Sequence, residues 1–291
     1  MSTVSASDVT NRQCRKEDIT ILLQFVDEDG WDWSMYDHLS HTRLDPNYLL
    51  VAENKSGEPV GFCGVTKSAP DTVYVSTFIV RKDLRRSGIG RVLWKAMLQR
   101  TGNQNITLDA VKGMVDWYKK NGLQFQTFRT FYHFFTITDD MKKSYLSNYE
   151  TITLSEEMWP ALMVYDQYVY PNFDRTAILR AWFSGEDVRV AVVMDAGKII
   201  GYGSIHKKPN NEYGLRNVFG DSEDVIEALL HDMVSGLPKG AIVHFFLLDE
   251  KPLPTYIKHS VKYEEPSVRM YSKVRIETNT AKMWLATAHL V

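Results

Sequence analysis

Arg85-Arg86-Ser87-Gly88-Ile89-Gly90-Arg91 combine three guanidinium groups with two glycines in seven consecutive residues. Arginine pairs with phosphate through planar, charge-assisted hydrogen bonds, and glycine lets a backbone approach an anion without a Cβ in the way. The chemistry suggested is therefore phosphate binding. The residues around the motif indicate what positions it. Tyr74 to Val80 is dense in β-branched and aromatic side chains, which predicts a strand. Ile89, Val92, Leu93, Ala96 and Met97 recur at helical spacing and predict an amphipathic helix. The motif then lies where a strand turns into a helix, with backbone N–H groups unpaired and the helix dipole favouring negative charge. By itself the motif also fits an ordinary strand-turn-helix junction. A dinucleotide fingerprint would need a third glycine where Leu93 stands, and a P-loop would need a Gly-Lys-Ser/Thr ending that is absent.

Bulk properties narrow the setting. The chain has 291 residues, enough for two domains of ordinary size, and a formal net charge of -2. That balance argues against nucleic-acid binding through bulk charge. No apolar run approaches the roughly 18 residues that a membrane-spanning helix needs, and the polar start MSTVSASDVT lacks a signal peptide's apolar core. The expectation is a cytoplasmic protein with no membrane or nucleic-acid partner. Cys14 and Cys63 are too few for a disulfide framework or a zinc site, so no metal is expected. Oligomeric state is not readable.

Along the chain, Ile19, Leu22, Leu23 and Val26 mark a short helix, followed by the acidic and aromatic stretch Asp27 to Asp37 as a loop or broken helix. Tyr48 to Glu53 and Pro59 to Val65 read as a hairpin turning at Gly57. After the central strand and helix come a strand at 106–111, a helix at 114–120, and an aromatic strand at 125–138 that would complete the first sheet. A second unit beginning near Ser144 repeats the first. VAENKSGEPVGFCGV at 51–65 aligns with AVVMDAGKIIGYGSI at 191–205, and YKKNGLQF from Tyr118 aligns with YIKHSVKY from Tyr256, pairing Phe125 with Tyr263. Between these matches the copies differ. The counterpart of RRSGIGR is the acidic NVFGDSEDVIEALL, in which Asp221 or Ser222 can cap a helix but a pyrophosphate would meet carboxylates.

These residues resemble the GCN5-related N-acetyltransferase (GNAT) superfamily. Arg85 to Gly90 fits its [QR]xxGx[GA] pyrophosphate motif, and FIV at 78–80 lies five residues upstream, where that family holds pantetheine on strand backbone. More specifically, the chain is similar to tandem acetyltransferases with a YitH/HolE-type C-terminal domain. The likeness is carried by FDRTAILRAWF at 173–183, GYGSI at 201–205, FGDSEDVIEALL at 219–230 and VRMY at 268–271, and in the first half by DGWDW at 29–33, GEPVG at 57–61 and LDAVKGMVDWYKKNGL at 108–123. It implies an α/β (α+β) fold of two tandem GNAT-like domains, 1–143 and 144–291, each a mixed, mostly antiparallel sheet flanked by helices. The first would bind acetyl-CoA through Phe78, Ile79, Val80, Arg85, Arg86, Ser87, Gly88, Ile89, Gly90 and Arg91. The second has a degenerate cofactor motif and is expected to bind acyl-CoA poorly or not at all.

The implied reaction is direct transfer of an acetyl group to a primary amine of a small molecule or a protein. It requires a neutral nucleophile, a site for the developing oxyanion and a proton for the departing thiolate. Tyr118 stands where the family places its thiolate-protonating tyrosine, though a buried structural tyrosine would read the same. Val111 replaces an asparagine often found seven residues earlier. Asp109, Asp32, Asp37, His38 or a water relay could serve as base. Trp31, Asp32 and Trp33 could enclose a cationic amine, or the aromatics could simply pack the helices onto the sheet. The alternative function is a non-enzymatic, acyl-CoA-responsive binding protein.

Overall fold

A computed structural model describes residues 4–142, 148–262, 265–287 and 289. The chain divides into two compact units, Met1–Leu108 with Tyr271–Lys273 and His289–Val291, and Asp109–Met270 with Val274–Ala288. The expected boundary at 143/144 lies outside the described residues, as does Tyr263 of the repeat.

The first unit contains β1 (Val9–Gln13), α1 (Asp18–Glu28), α2 (Met35–Leu44), β2 (Leu49–Asn54), β3 (Pro59–Ala69), β4 (Thr72–Val80), α3 (Ile89–Thr101) and the start of β5 (Asn105–Ala110). The strands lie in this order across the sheet, antiparallel except for the β4–β5 pair. The β2–β3 hairpin closes where Gly57 adopts φ +81°, a conformation that a side chain would strain. The Asn54 side-chain oxygen accepts N–H bonds from Ser56 and Glu58 there, fixing the turn. Helix α1 buries Ile19, Leu22, Phe25 and Val26 against Tyr48, Leu49, Val51, Phe62 and Ile79. Full burial of such side chains stabilises by about 1.5–3 kcal/mol each. The returning segment is bonded into this unit: Ser272 N–H donates to the Ile106 carbonyl (2.9 Å), and Ile106 N–H to Ser272 Oγ (2.8 Å).

The second unit contains α4 (Val115–Lys120), β6 (Phe125–Thr136), β7 (Thr151–Thr153), α5 (Trp159–Val169), α6 (Thr176–Phe183), β8 (Val188–Asp195), β9 (Lys198–Lys208), β10 (Glu212–Gly220), α7 (Glu223–Ser235), β11 (Ile242–Leu248), β12 (His259–Val261), β13 (Ser267–Tyr271, up to Met270) and β14 (Met283–Ala286). Its strand order is β13-β6-β11-β14-β10-β9-β8-β7, with β12 also on β6. Helix α7 places Val225, Ile226, Leu229, Leu230 and Met233 in a core shared with Val193, Ile205, Val218 and Phe245.

Strand β6 belongs to the second compact unit. It pairs with β11 along seven residues, from Thr136↔Ile242 to Thr130↔Leu248. Cross-strand stacking explains the choice: Tyr132 lies on Phe246 with ring centroids 5.0 Å apart, and His133 on Phe245 at 5.3 Å.

The repeat holds through the hairpin and the bulged strand, whereas Tyr118 lies on helix α4 and its counterpart Tyr256 in a turn. Gly197 turns the β8–β9 hairpin at φ +77°, as Gly57 turns β2–β3. Register shifts fall between Ala52 and Glu53 in one hairpin and between Val193 and Met194 in the other. Strand β4 bulges around Thr77 (φ 43°) and β10 around Asn217 (φ 50°). The copies part at the next connection: residues 81–88 separate β4 from α3, whereas only Asp221 and Ser222 separate β10 from α7.

Candidate active site

Residues Arg81 to Gly88 form the longer of these connections. Leu84 is buried beneath it and anchors it, and Ser87 Oγ donates to the Leu84 carbonyl at 2.6 Å. Gly88 sits at φ +91° immediately before α3 and offers no side chain to cap it. Among the described residues nothing accepts from the backbone N–H groups of Gly88, Ile89 or Gly90. A Cβ on Gly90 would meet Phe78 Cζ at 3.6 Å and Val80 Cγ2 at 3.9 Å, so the turn rides directly over the end of β4. The result is a group of uncapped donors at the positive end of a 13-residue helix. Around it Arg86 and Arg91 are exposed and in no ion pair among the described residues. Arg85 is different: its Nε donates to the Val80 carbonyl at 3.1 Å and its guanidinium pairs with Asp29. It thereby ties the turn to β4 and to the α1–α2 loop.

Strand β4 carries Phe78, Ile79 and Val80. Ile79 is buried in the core, while Phe78 and Val80 are half-buried, Phe78 edge-on to Trp94 at 5.7 Å. The parallel ladder between β4 and β5 covers Thr72↔Asn105, Val73↔Ile106 and Tyr74↔Thr107 only. Past Tyr74 no further β4–β5 pair forms among the described residues, and the bulge at Thr77 turns the backbone of β4 there. Ser76 Oγ and Thr77 Oγ1 are buried without a hydrogen-bond partner among the described residues. Both lie over Gly64, where a Cβ would meet them at 2.2 and 3.0 Å. Glycine at 64 makes room for these hydroxyls.

The acidic and aromatic stretch resolves into the end of α1, a loop, and the start of α2. Asp37 closes a capping box with Ser34, accepting from its N–H at 2.9 Å and its Oγ at 3.0 Å. That role occupies one oxygen; the other is buried with no partner among the described residues. Trp33 packs in the α1 core and Asp32 is buried, whereas Trp31 is partly exposed at the edge of that core. The packing explanation for the aromatics thus holds for Trp33. His38 Nδ1 and Tyr48 Oη share a hydrogen bond of 2.8 Å. His41, missed in the sequence, is fully buried, stacks on Tyr48 at 4.9 Å, and shares a 2.7 Å hydrogen bond with Thr66 Oγ1. Burial, with His289 and His38 nearby, holds the His41 pKa well below the usual imidazole range. No local signal marks His41, because its partner lies 25 positions away on β3.

In the second unit, Tyr118 is 5 % exposed on α4, with its ring edge-on to Trp117 at 5.3 Å. Asp109 is not a free carboxylate. It receives Arg269 Nε at 3.0 Å and Nη2 at 2.8 Å in a fork-to-fork pair, both side chains nearly inaccessible. That pairing removes Asp109 from the candidates for a base. Among the described residues no group of three or more His, Cys, Asp or Glu side chains is placed to hold a metal ion, and no helix is long and apolar enough to cross a membrane.

A mixed sheet with a bulged fourth strand, a parallel strand diverging from it, and an uncapped arginine-flanked helix start together define an acyltransferase-type fold. Residues 12–143 match the family model for the acetyltransferase (GNAT) domain. It is 20 % identical over 234 residues to holothin acyltransferase of Pseudoalteromonas sp. (strain SANK 73390), spanning 80 % of this chain and 77 % of that one. A Pyrococcus horikoshii structure provisionally described as an acetyltransferase superposes with a TM-score of 0.77 at 17 % identity, over 97 % of this chain and 95 % of that one. A tandem GNAT protein from the clavulanic acid biosynthesis pathway does so with a TM-score of 0.60 at 15 % identity, over 90 % and 98 % of the two chains. The tandem fold is therefore shared along nearly the whole length.

Proposed function

We propose that this protein is an acyl-CoA-dependent N-acyltransferase that uses acetyl-CoA in its first unit and transfers the acetyl group to a primary amine. The observation that carries this reading is the unpaired N–H group of donors at Gly88, Ile89 and Gly90 beside Arg86 and Arg91. These donors suit the pyrophosphate, with Ser87 and Arg85 holding the turn in shape. Phe78, Ile79 and Val80, at the end of β4 beyond its ladder with β5, are assigned the strand backbone that meets pantetheine. The acceptor's neutral nitrogen attacks the thioester carbonyl; a C–N bond forms, the C–S bond breaks, the nitrogen loses a proton and the sulfur gains one. Backbone N–H groups near Val80 receive the charge that builds on the carbonyl oxygen. Tyr118 is assigned the proton for sulfur. The unpartnered hydroxyls of Ser76 and Thr77 at the bulge, with Trp31, Asp32 and Trp33 in the neighbouring loop, suit an acceptor that is polar and cationic before it loses its proton. The domains of the repeat are assigned as 1–143 and 144–291, with catalysis in the cytoplasm.

The first test is thermal. Acetyl-CoA is expected to raise the melting temperature of the wild type, and Gly88→Asp with Gly90→Asp to abolish the rise, since two carboxylates would stand where phosphates belong. An undiminished rise in that variant removes the turn from the mechanism. Tyr118→Phe is expected to lower turnover about 100-fold while leaving the acetyl-CoA shift intact; full activity would end its role as proton donor. Release of free coenzyme A across an amine panel that includes holothin, the acceptor in the relative's name, tests the reaction itself. Acceptor-dependent release supports the enzyme, and cofactor binding with no release for any amine favours the acyl-CoA-responsive binding protein.

A further inference from the structure

The second unit begins the same opening as the first and then fills it with its own chain. Strands β10 and β11 pair in parallel through Glu212↔Ile242, Tyr213↔Val243 and Gly214↔His244, matching the three pairs between β4 and β5. Beyond Gly214 the two strands diverge, and β14 runs between them. It pairs antiparallel with β10 at Val218↔Leu285 and Phe219↔Met283, and with β11 at Phe246↔Ala286 and Leu247↔Leu285. Under the repeat Val218 and Phe219 are the counterparts of Phe78 and Ile79. The backbone that would meet pantetheine in the first unit is thus hydrogen-bonded to β14 in the second.

Nothing about β14 suggests a loosely laid strand. Met283, Trp284, Leu285 and Ala286 are all buried, and Trp284 and Leu285 belong to the α7 core. Both ends are held. Lys282 pairs with Asp221, in the short turn that replaces the phosphate-binding connection, so that carboxylate already has a cation from the chain itself. Lys251 Nζ donates to the Ala281 carbonyl at 2.9 Å and sits 4.0 Å above the Trp284 ring. At the far end Arg269 Nη2 donates to the Thr287 carbonyl at 3.1 Å. Displacing β14 would expose four apolar side chains and leave backbone groups on both neighbours unpaired in a buried sheet, which is costly on both counts.

We infer that β14 is the permanent occupant of the second unit's cofactor-type opening, so the chain binds a single acyl-CoA and the second unit has none. The inference rests on the first-unit reading for where that single molecule goes. Calorimetric titration of the full chain with acetyl-CoA is the test, with Gly88→Asp plus Gly90→Asp, and separately Arg86→Glu plus Arg91→Glu at exposed positions, as the two variants. One molecule per wild-type chain and none in either variant is the expected result. Two molecules per chain, or one that survives in both variants, overturns the occupied second opening. No binding to the wild type keeps that opening closed as inferred and sinks the first-unit reading instead. Hydrogen exchange gives an independent readout: amides of 283–286 should stay protected under saturating acetyl-CoA, and their deprotection would overturn the inference.

Discussion

Asp109 and Arg269 lie 160 positions apart and form a nearly inaccessible, fork-to-fork ion pair in the second unit. Removing one partner leaves a buried charge uncompensated, whereas replacing both with apolar groups of similar size does not. Arg269→Met is accordingly expected to cost about 3–5 kcal/mol, and Asp109→Leu with Arg269→Met much less, as measured by urea unfolding; equal losses in the two would show that the pair does not act through charge. His41 makes a pH-dependent contribution in the first unit. Its folded pKa lies below the unfolded value because burial disfavours the imidazolium. Between those two values the unfolded chain holds more protons, so stability is complete above about pH 6.5 and falls as pH drops toward the folded pKa. His38, also depressed by burial, acts with the same sign. The melting temperature should decline from pH 7 to 5, with a shallower decline in His41→Asn; an unchanged slope would exclude His41 as a source.

At the scale of elements, the two hairpins show how closely strand and helix approach. A Cβ on Gly201 would lie 2.5 Å from Val225 Cγ1 and 2.9 Å from the Phe219 carbonyl oxygen, the latter a backbone atom that cannot turn aside. Gly201→Ala should therefore destabilise by about 1–3 kcal/mol, read as a lower urea midpoint; a variant as stable as wild type would mean that α7 can shift outward. The helices that follow the bulged strands contrast in their first turns. Helix α7 is capped by Ser222, whose Oγ accepts from Val225 N–H at 3.4 Å, and carries Glu223 and Asp224. Helix α3 starts with glycine, no cap and no acid. One helix start satisfies its own donors and dipole, and the other leaves both for an anion.

At the scale of the molecule, the two units share one bulged strand pattern and differ in what lies beside it. In the first unit, among the described residues, the β4–β5 ladder stops at Tyr74 and nothing accepts from the N–H groups of Gly88, Ile89 and Gly90. In the second, the connection has shrunk to two residues and β14 lies between β10 and β11. The tandem fold shared with the clavulanic acid pathway protein spans both halves, yet cofactor binding is expected of one. Single-site saturation by acetyl-CoA is the prediction that belongs to this scale.

The features readable in the sequence are those whose causes are local. Gly57 and Gly197 mark turns because their φ values favour glycine, and the arginine and glycine run marks a helix start because its residue types and spacing suit an anion there. The hairpin repeat was legible for the same reason, since each copy depends on neighbours a few positions away. Partners far along the chain were not. Asp109 fits a base by residue type alone, but Arg269, 160 positions away, pairs with it; His41 has no neighbour in sequence that marks Thr66, and β6 is placed by the aromatics of β11 that it meets. Alternation of apolar residues determines that a segment is a strand and which face is buried, but not which strand it will lie against. The amino-acid sequence by itself therefore determined the arginine- and glycine-rich helix start and the hairpin repeat. Only the tertiary structure decided that β14 fills the second opening, because burial and backbone pairing across distant segments select that partner.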